Sequence, residues 1–496
     1  MSVFIGIDLG TTYSAVSYID DTGRPKVIHN SEGSNVTPSC IDFSNGKASV
    51  GEEARKSLGL SDTIAARFKR DMGTSKVYKI GKSEYTPTDC SAIVLKKILQ
   101  DAEKSVGKVG EAVVTTPANF ANEARTATLE AAKLAGLNVK HIVNEPTAAA
   151  LYYAFQSGDD LHGHYAVYDL GGGTFDISII KANGQDVEVI TSDGISRLGG
   201  DDFDIALQKI VQRKYKKLTG DTLDEEDFTK TDAEEDKKSL SKRNSIKIRV
   251  IRSNIEVTRE EFEQEVSSLI AQTEMLCESV IDEAGLTTSD IQDVFLAGGS
   301  TRMPVVLESV KRAFKKDPIS SVNVDEVVTL GAALYAAFKG DKSKLSSVQK
   351  NSIQKIKVSD ATTKCFGTIA LSQNQKGEFE DRVSILINKN EKIPCSVTKS
   401  YYTTHDNQEK VSFSITESVA AETDPRFVNV LWEDELKLPS GRDEGQEIKV
   451  TYSYDENQTI HASFVDVDTG KEMKTSLSSV NDSAKTNNKI DKFIVE

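Results

Sequence analysis

Two short segments of this chain have the residue types of a phosphate-binding turn. Residues 5–12 read IGIDLGTT and residues 167–176 read VYDLGGGTFD. Glycine lets backbone N–H groups come close to phosphate oxygens, threonine adds hydroxyl donors, and aspartate can hold a hydrated Mg²⁺. Two such turns could grip one nucleotide, so the repeated segment predicts a magnesium–nucleotide site.

A strand must precede and follow each turn. Asp8 and Asp169 each end an apolar run, and second apolar runs follow at Ser14–Ile19 and Ile177–Ile180. This order is typical of strand, tight turn and strand. We therefore expect Asp8 and Asp169 to lie at strand ends and to hold Mg²⁺ between them through its water ligands.

Composition limits the class of protein. A chain of 496 residues is too long for one core, so several domains are expected. No apolar run approaches the ~20 residues of a membrane span, and the N-terminus enters a strand without a signal peptide, which predicts a cytoplasmic protein. The net charge of −15 argues against nucleic acid or an anionic membrane as partner. Five widely spaced cysteines, none in a CxxC pair, predict free structural thiols.

Residues 1–340 alternate strands with helices, which is typical of α/β folds. Residues 111–117 predict a strand at the edge or end of a sheet, followed by a helix over Asn122–Leu137. Asn144 is expected to N-cap a further helix that carries Glu145 in its first turn. A small exposed subdomain is predicted at 219–249, where the sequence is polar. A third apolar strand ends in GGSTRMP at 298–304, and a helix of small residues follows from Val324 to about residue 338.

The composition changes after residue 340. Residues 341–360 are rich in Lys, Ser and Gln and predict a linker. Over 361–477, short segments alternate apolar and polar residues, which indicates a β-sandwich. Residues 478–496 form a short tail that cannot build a helical lid.

The order of these motifs over residues 3–476 resembles that of the seventy-kilodalton heat-shock chaperones, the DnaK type. The resemblance rests further on residues 30–33, 37–39, 68–70, 116–118, 144–151, 198–204, 455–457 and 468–472. It implies an α/β actin-like ATPase domain with a duplicated ribonuclease-H-like fold, followed by an all-β sandwich. The implied function is that of an ATP-hydrolysing chaperone that binds extended apolar segments of unfolded client proteins in protein folding and the stress response. The implied cofactors are ATP or ADP with Mg²⁺, K⁺ being left open, and the implied partners are a J-domain co-chaperone and a nucleotide-exchange factor.

The resemblance also implies roles for individual residues. Lys69 matches the family's catalytic lysine, and Glu145 matches the carboxylate near the attacking water. Hydrolysis would further use Asp8, Asp169 and Thr174. The phosphates would be held by Thr11, Thr12, Thr174 and the amides of Gly171, Gly172 and Gly173, and the nucleotide would also contact Gly10, Tyr13, Gly199 and Gly200. Adenosine would be held by Gly298, Gly299, Ser300, Arg302 and Asp325, with Glu234, Lys237 and Lys238 on its other side.

Pro117 and Arg125 match the family's relay between the nucleotide and client domains. Alternatively, Pro117 only ends a strand and Arg125 is an exposed arginine on a helix, with no role in a relay.

Two regions depart from the family. The linker segment aligned with the family's leucine-rich strand is Ile356–Asp360, in which two apolar positions are replaced, so coupling by an added edge strand is expected to weaken. The expected client groove, about Val397–Ser418, holds apolar residues that fit a sandwich core as well. The missing lid predicts fast peptide release and is similar to the HscC-like members.

The altered linker and missing lid keep a second hypothesis open: an ATP-binding regulatory or scaffold co-chaperone with little hydrolysis or client clamping. A sugar or acetate kinase lacks support, because the sandwich has no place in such enzymes.

Overall fold

The computed structural model describes residues 3–44, 47–158, 160–319, 322–373, 377–477 and residue 495. The chain divides into two compact units. Unit 1 spans Met1–Val358 and includes Val495, and unit 2 spans Ser359–Val480. Apart from Val495, the predicted tail at 478–496 lies outside the described residues.

Unit 1 alternates strands and helices, as predicted for an α/β domain. Its strands are β1 (Val3–Asp8), β2 (Tyr13–Ile19), β3 (Pro25–Val27), β4 (Thr37–Pro38), β5 (Cys40–Asp42), β6 (Ser49–Val50), β7 (Ile64–Ala66), β8 (Tyr78–Ile80), β9 (Ser83–Tyr85), β10 (Val109–Thr116), β11 (Val139–Asn144), β12 (His162–Leu170), β13 (Phe175–Asn183), β14 (Asp186–Ile195), β15 (Ser245–Val250), β16 (Ser253–Thr258), β17 (Ile291–Ala297) and β18 (Lys357–Ser359). Its helices are α1 (Glu52–Lys56), α2 (Pro87–Val106), α3 (Asn122–Leu134), α4 (Glu145–Ser157), α5 (Gly200–Thr219), α6 (Lys230–Leu240), α7 (Arg259–Glu265), α8 (Ser267–Glu283), α9 (Pro304–Phe314), α10 (Val327–Lys339) and α11 (Ser347–Ile353).

The two large sheets of unit 1 are built on the same plan. The first has the order β11-β10-β1-β2-β3 and the second the order β17-β12-β13-β14-β18. In each sheet the strand that carries Asp8 or Asp169 pairs antiparallel with the next strand of the chain and parallel with a later one. We call the part with β1–β11 and α1–α3 lobe I, and the part with β12–β17 and α5–α9 lobe II. Each lobe therefore carries one of the two predicted turns at a corresponding sheet position.

Strand β10 differs from its prediction as an edge or terminal strand. It lies inside the first sheet, parallel to both β1 and β11. Pro117 follows the last strand residue, Thr116, so it removes no hydrogen bond from the sheet.

Helices α4 and α10 pack against each other between the two sheets. A Cβ atom on Gly331 of α10 would lie 1.7 Å from the carbonyl oxygen of Ala148 on α4. A Cβ atom on Gly6 of β1 would lie 2.1 Å from the backbone nitrogen of Ala333. Only glycine fits at both positions, because the opposing atoms belong to backbone that cannot move aside.

The predicted linker, 341–360, is folded onto unit 1 over most of its length. Helix α11 lies against the β2–β3 turn, where the Gln349 side-chain amide donates to the carbonyl oxygens of Ile19 and Asp20 at 2.9 and 3.2 Å. Ile356 is buried, and the Lys357 amide donates to the carbonyl of Gln185 at 3.2 Å. Strand β18 is thus the edge strand of the second sheet despite the two replaced apolar positions.

Unit 2 is all β, as predicted. Its strands are β19 (Cys365–Gln373), β20 (Phe379–Ile387), β21 (Cys395–Tyr402), β22 (Lys410–Ser418), β23 (Asn429–Lys437), β24 (Glu447–Tyr454), β25 (Ile460–Asp466) and β26 (Glu472–Ser476). They form two four-stranded sheets, β20-β19-β22-β23 and β21-β24-β25-β26. Phe413 and Ile415 of one sheet and Tyr452 and Phe464 of the other share one buried apolar core.

Smaller predictions have mixed outcomes. The five cysteines are free thiols, as predicted. Helix α3 ends at Leu134, three residues earlier than predicted, and the polar segment 219–249 contains α6, which buries Ala233 and Leu240. Among the residues that the structure describes, every helix is too short or too polar to cross a membrane.

Candidate nucleotide site

The two phosphate turns meet across the cleft between lobes I and II. A Cβ atom on Gly172 would lie 2.0 Å from Thr12 Oγ1, and one on Gly173 would lie 2.5 Å from Thr11 Oγ1. The threonine side chains of the first turn therefore occupy the space left by the glycines of the second. Within the described residues, the buried Thr12 Oγ1 has no hydrogen-bond partner.

In lobe II, the start of α5 packs against the phosphate turn at 171–173. The amides of Gly200 and Asp201 donate to the carbonyl oxygens of Gly171 and Gly172 at 3.0 and 2.8 Å. A Cβ atom on Gly199 would lie 2.7 Å from the Gly172 backbone. The turn at 171–173 is thereby fixed between α5 and the first hairpin, and Thr174 is buried at its end.

Lys69 and Glu145 form a buried ion pair beside these turns. Lys69 lies on a 3-10 helix, Phe68–Asp71, and its Nζ donates to Glu145 Oε1 at 2.5 Å. Both residues are nearly inaccessible, at 4% and 6% exposed. Burial alone would lower the pKa of Lys69, but the charges of Glu145 and Asp8 raise it above its ordinary value. The lysine is therefore a fixed cation in the cleft.

Asp8 is the last residue of β1 and Asp169 the last but one of β12, close to the predicted strand ends, and the charge of Asp8 adds to the effect of burial on the pKa of Asp169. Burial, and then the charge of Glu145, raises the pKa of Asp8 to about 7, although Lys69 and a hydrogen bond from Thr115 oppose this change. The same two causes, with Asp176 and Asp8, raise the pKa of Asp169 well above its usual range. Carboxylates that repel one another in this way are a favourable setting for a cation.

Asp176 is a residue of this site that the sequence analysis missed. It is fully buried at the start of β13, directly opposite Asp169 in the hairpin register. Burial and the charge of Glu145 raise its pKa to about 7. The Asn119 amide of lobe I donates to Asp176 Oδ1 at 3.4 Å, while Oδ2 has no partner among the described residues. The second aspartate of the DLGGGTFD segment was the available signal.

Arg125 is buried, which contradicts the expectation of an exposed helix arginine for the structural alternative. Its guanidinium donates to the carbonyl oxygens of Phe120 and Ala118, and to the side chains of Thr116 and Asn144 at 3.0 Å each. Asn144 precedes α4 but makes no side-chain cap, because its side-chain oxygen accepts from Arg125. Arg125 thus ties the loop after β10, which contains Pro117, to the helix that begins with Glu145.

The predicted adenosine residues fall in two groups. In the first, Glu234 accepts from the Tyr13 hydroxyl at 3.1 Å and from Arg55 at 2.9 Å, and it pairs with Lys238 at 2.8 Å. Although burial would raise the pKa of Glu234, Lys238 and Arg55 lower it to about 2. Lys237 is buried against Asp204 at 2.6 Å and donates to the carbonyl of Gly200, so its ammonium supports the start of α5.

The second group lies after β17. Ser300 donates to the carbonyl of Gly171 at 2.9 Å, which links this segment to the phosphate turn. Arg302 is half exposed and pairs with Asp325 at 2.7 Å. A Cβ atom on Gly299 would lie 2.8 Å from Asp325. Gly298 and Gly299 thus let this segment pack closely against Leu170 and Asp325, beside the guanidinium of Arg302, on which a base could stack.

The residues of the cleft fit magnesium and a nucleotide. Four carboxylates, those of Asp8, Glu145, Asp169 and Asp176, lie close enough to the ammonium of Lys69 to interact with its charge. A divalent cation and donors to phosphate would balance this excess of negative charge, and the orphaned hydroxyl of Thr12 is one such donor. Mg²⁺ keeps several waters and uses few protein carboxylates, as Asp8 and Asp169 would provide.

The residues of the expected client groove are partly buried in the sandwich core and partly exposed on its surface. Phe413 and Ile415 belong to the sandwich core, whereas Tyr402 is 60% exposed. Strands β19 and β22 pair at Cys365–Gly367, but farther along the Ile369 amide donates to the side chain of Ser414 at 2.9 Å. Beyond this point β19 presents Leu371, 53% exposed.

Comparison with known families agrees with this architecture. A family model described as Hsp70 protein matches residues 4–79 and 75–496 of the chain. The matched segments cover both units and every site residue discussed above.

Proposed function

The chain belongs to the Hsp70 protein family, and we propose that it is a molecular chaperone that hydrolyses ATP in the cleft of unit 1 and binds extended apolar segments of unfolded clients in unit 2. The observation that carries the proposal is the buried Lys69–Glu145 pair, set among three carboxylates between two interlocked phosphate turns.

In this proposal, each turn supports one part of the triphosphate. The amides of 171–173 and the hydroxyls of Thr11, Thr12 and Thr174 donate to phosphate oxygens. Lys69 neutralises charge that develops on the terminal phosphoryl group. When bound, Mg²⁺ held through water by Asp8 and Asp169 supplies further neutralisation of the phosphate oxygens.

The attacking water is placed by carboxylates rather than by a strong base. Glu145 is fixed by Lys69 and Asp176 by the Asn119 amide, so both point into the cleft with little freedom. Either carboxylate can accept a hydrogen bond from the water and so hold the water oxygen in line with the phosphorus. Asp176 is therefore added to the catalytic residues proposed from the sequence.

The adenosine would lie between the Gly298–Ser300 segment with Arg302 on one side and Glu234 with Lys238 on the other. Since Lys237 is occupied by Asp204 and Gly200, we assign it to the support of α5 instead of direct base contact.

A client segment would enter unit 2 where β19 and β22 cease to pair. Peptide binding at such a position uses backbone hydrogen bonds for affinity and apolar side chains such as Leu371 and Tyr402 for preference. Coupling to ATP would run through β18, which is hydrogen-bonded to the sheet that carries Asp169. A J-domain protein and a nucleotide-exchange factor are the proposed partners, in a cytoplasmic stress response, and HscC-like members are the proposed subfamily.

The test is ATP turnover by the full chain and by Lys69→Ala. Loss of the buried ammonium should lower the hydrolysis rate about 10²–10³-fold, while Lys133→Ala, at an exposed position on α3, should match the wild type. Equal turnover in all three proteins would refute the catalytic assignment.

The second candidate is a regulatory or scaffold co-chaperone, which is favoured by the replaced apolar positions at 356–360. Peptide affinity measured with ATP and with ADP separates the two functions. Different affinities support the chaperone, and identical affinities, together with hydrolysis that peptides do not accelerate, support the scaffold.

A further inference from the structure

Arg67 has a strained backbone at the edge of the cleft. It lies between β7 and the 3-10 helix that carries Lys69, with φ 61° and ψ 15°. In this left-handed conformation a residue that carries a Cβ atom is destabilised by about 1 kcal/mol, whereas glycine adopts it freely. Strain of this kind persists only where other contacts fix the residue.

The fixing contact crosses from lobe I to lobe II. Arg67 Nε donates to Asp201 Oδ1 at 2.7 Å, and the two side chains are 17% and 2% exposed. Burial would lower the pKa of Arg67, but the charges of Asp201 and Asp204 raise it. Asp201 Oδ2 is buried and has no partner among the described residues, so this carboxylate depends on Arg67 and on the start of α5.

A second arginine makes the neighbouring contact. Arg70 pairs with Asp202, the next residue of α5, and donates to the carbonyl of Gly173 at 2.9 Å. The two arginines lie on either side of Lys69 in the chain. Lobe I thus holds the first turn of α5 with two consecutive arginine–aspartate pairs, and the catalytic lysine is mounted between them.

We propose that Arg67 is a positioning residue that latches the cleft: its pair with Asp201 must break before the lobes separate, so it limits the rate of nucleotide release. This inference rests on the proposed ATPase function. Its physical reason is that parting the pair leaves a buried carboxylate without compensation, which costs far more than parting an exposed ion pair.

The same cleft offers a matched control. Arg197 of lobe II pairs with Asp71 of lobe I at 3.3 Å, but its side chain is 72% exposed. Asp71 is itself buried, but it keeps Lys76 at 2.6 Å and the Tyr78 hydroxyl at 2.8 Å. Arg197→Ala therefore removes an ion pair between the lobes without leaving a buried carboxylate uncompensated.

The experiment measures release of a fluorescent ADP analogue from the full chain by stopped flow. Arg67→Ala and Asp201→Asn should each accelerate release about tenfold, and the double variant should be no faster than either, because both remove one interaction. Arg67→Lys should restore part of the delay, and Arg197→Ala should stay within about twofold of the wild type. Additive effects of the two single changes, or equal rates for Arg67→Ala and Arg197→Ala, would overturn the latch.

Arg67→Gly separates the latch from a general role in folding. Arg67→Gly and Arg67→Ala both remove the guanidinium, but only glycine relieves the strained backbone. Arg67→Gly should therefore unfold at a higher temperature than Arg67→Ala while the two release nucleotide equally fast; release that slows as stability is regained would indicate a purely structural role. Failure of the wild type to bind nucleotide would refute the proposed function instead. Hydrogen exchange of the amides at 68–72 in nucleotide-free protein then decides the latch: faster exchange in Arg67→Gly than in Arg197→Ala supports it, and equal exchange refutes it.

Discussion

The two phosphate hairpins resemble each other in sequence but contribute different chemistry. The first supplies side chains, since Thr11 and Thr12 fill the space between the turns, whereas the second supplies backbone, since Gly172 and Gly173 leave that space open. The carboxylates differ as well: Asp8 lies opposite Ala15 in its hairpin, and Asp169 lies opposite Asp176.

The difference shows that a repeated motif need not make a symmetric site. Each turn can approach the other closely only because the bulky residue of one faces the glycine of its partner. The additional buried carboxylate of lobe II is that of Asp176, to which we assign the orientation of the attacking water. Four substitutions test this division, and they are ordered by the expected size of their effect.

The largest effect is expected for Asp176→Asn. If Asp176 orients the attacking water, removing its charge should lower single-turnover ATP hydrolysis about 10²–10³-fold with nucleotide affinity retained. The matched control is Asp282→Asn, at an exposed position on α8. Hydrolysis within twofold of the wild type would mean that the Asp176 carboxylate is not needed for hydrolysis. The two hairpins would then not differ in function at the positions of Ala15 and Asp176.

The next effect compares glycines within one turn. A Cβ atom on Gly173 would overlap Thr11, whereas one on Gly171 would meet only the carbonyl of Thr174 at 3.8 Å. Gly173→Ala should destabilise unit 1 by about 1–3 kcal/mol and weaken nucleotide binding about a hundredfold by displacing the turn. Thermal unfolding and titration with ADP measure both quantities, and Gly171→Ala should keep the wild-type stability. Equal destabilisation by the two changes would remove the proposed interlocking.

A smaller effect is expected for Thr12→Ala. The orphaned Thr12 hydroxyl would lose its phosphate contact, which should weaken ADP binding about tenfold, while Thr12→Ser should bind as the wild type does. Calorimetric titration provides the test. Serine behaving like alanine would show that the methyl group rather than the hydroxyl matters.

The smallest effect is expected for Glu234→Gln, which weakens the link between Tyr13 and lobe II. Because Lys238 and Arg55 lower the pKa of Glu234 to about 2, ionised Glu234 stabilises the fold above pH 4.5, and this contribution is lost as the pH falls from 4.5 towards 2. Urea unfolding should find the variant about 1 kcal/mol less stable at pH 7 and at pH 5, with the difference shrinking at pH 4. A difference independent of pH would exclude ionisation as the cause.

The sequence predicts the local parts of this architecture better than the distant contacts. The hairpins, the strand ends at Asp8 and Asp169 and the sandwich strands follow from residue order, because period and turn residues act over a few positions. The placement of β10 inside its sheet does not follow from residue order, since it depends on pairing with β11, which lies elsewhere in the chain.

The same limit applies to the candidate site. Asn144 was expected to cap α4, but its side chain is taken by Arg125, 19 residues earlier. The pairing of Arg67 with Asp201 joins residues 134 positions apart. Tertiary packing decides which charged residues are buried next to each other, so no local sequence pattern predicts these pairs. The two aspartates of the DLGGGTFD segment are the exception, because hairpin register alone places them opposite each other.

The contact of Gly331 with Ala148 has a mechanical consequence. At Gly331 the nearest atoms of α4 are backbone atoms of Ala148, so no side chain is interlocked at this point and the helices can turn about it. We therefore expect this crossing to serve as the pivot about which the lobes turn. A methyl group added at Gly331 would act as a wedge and stiffen that rotation, far from any atom that touches the nucleotide.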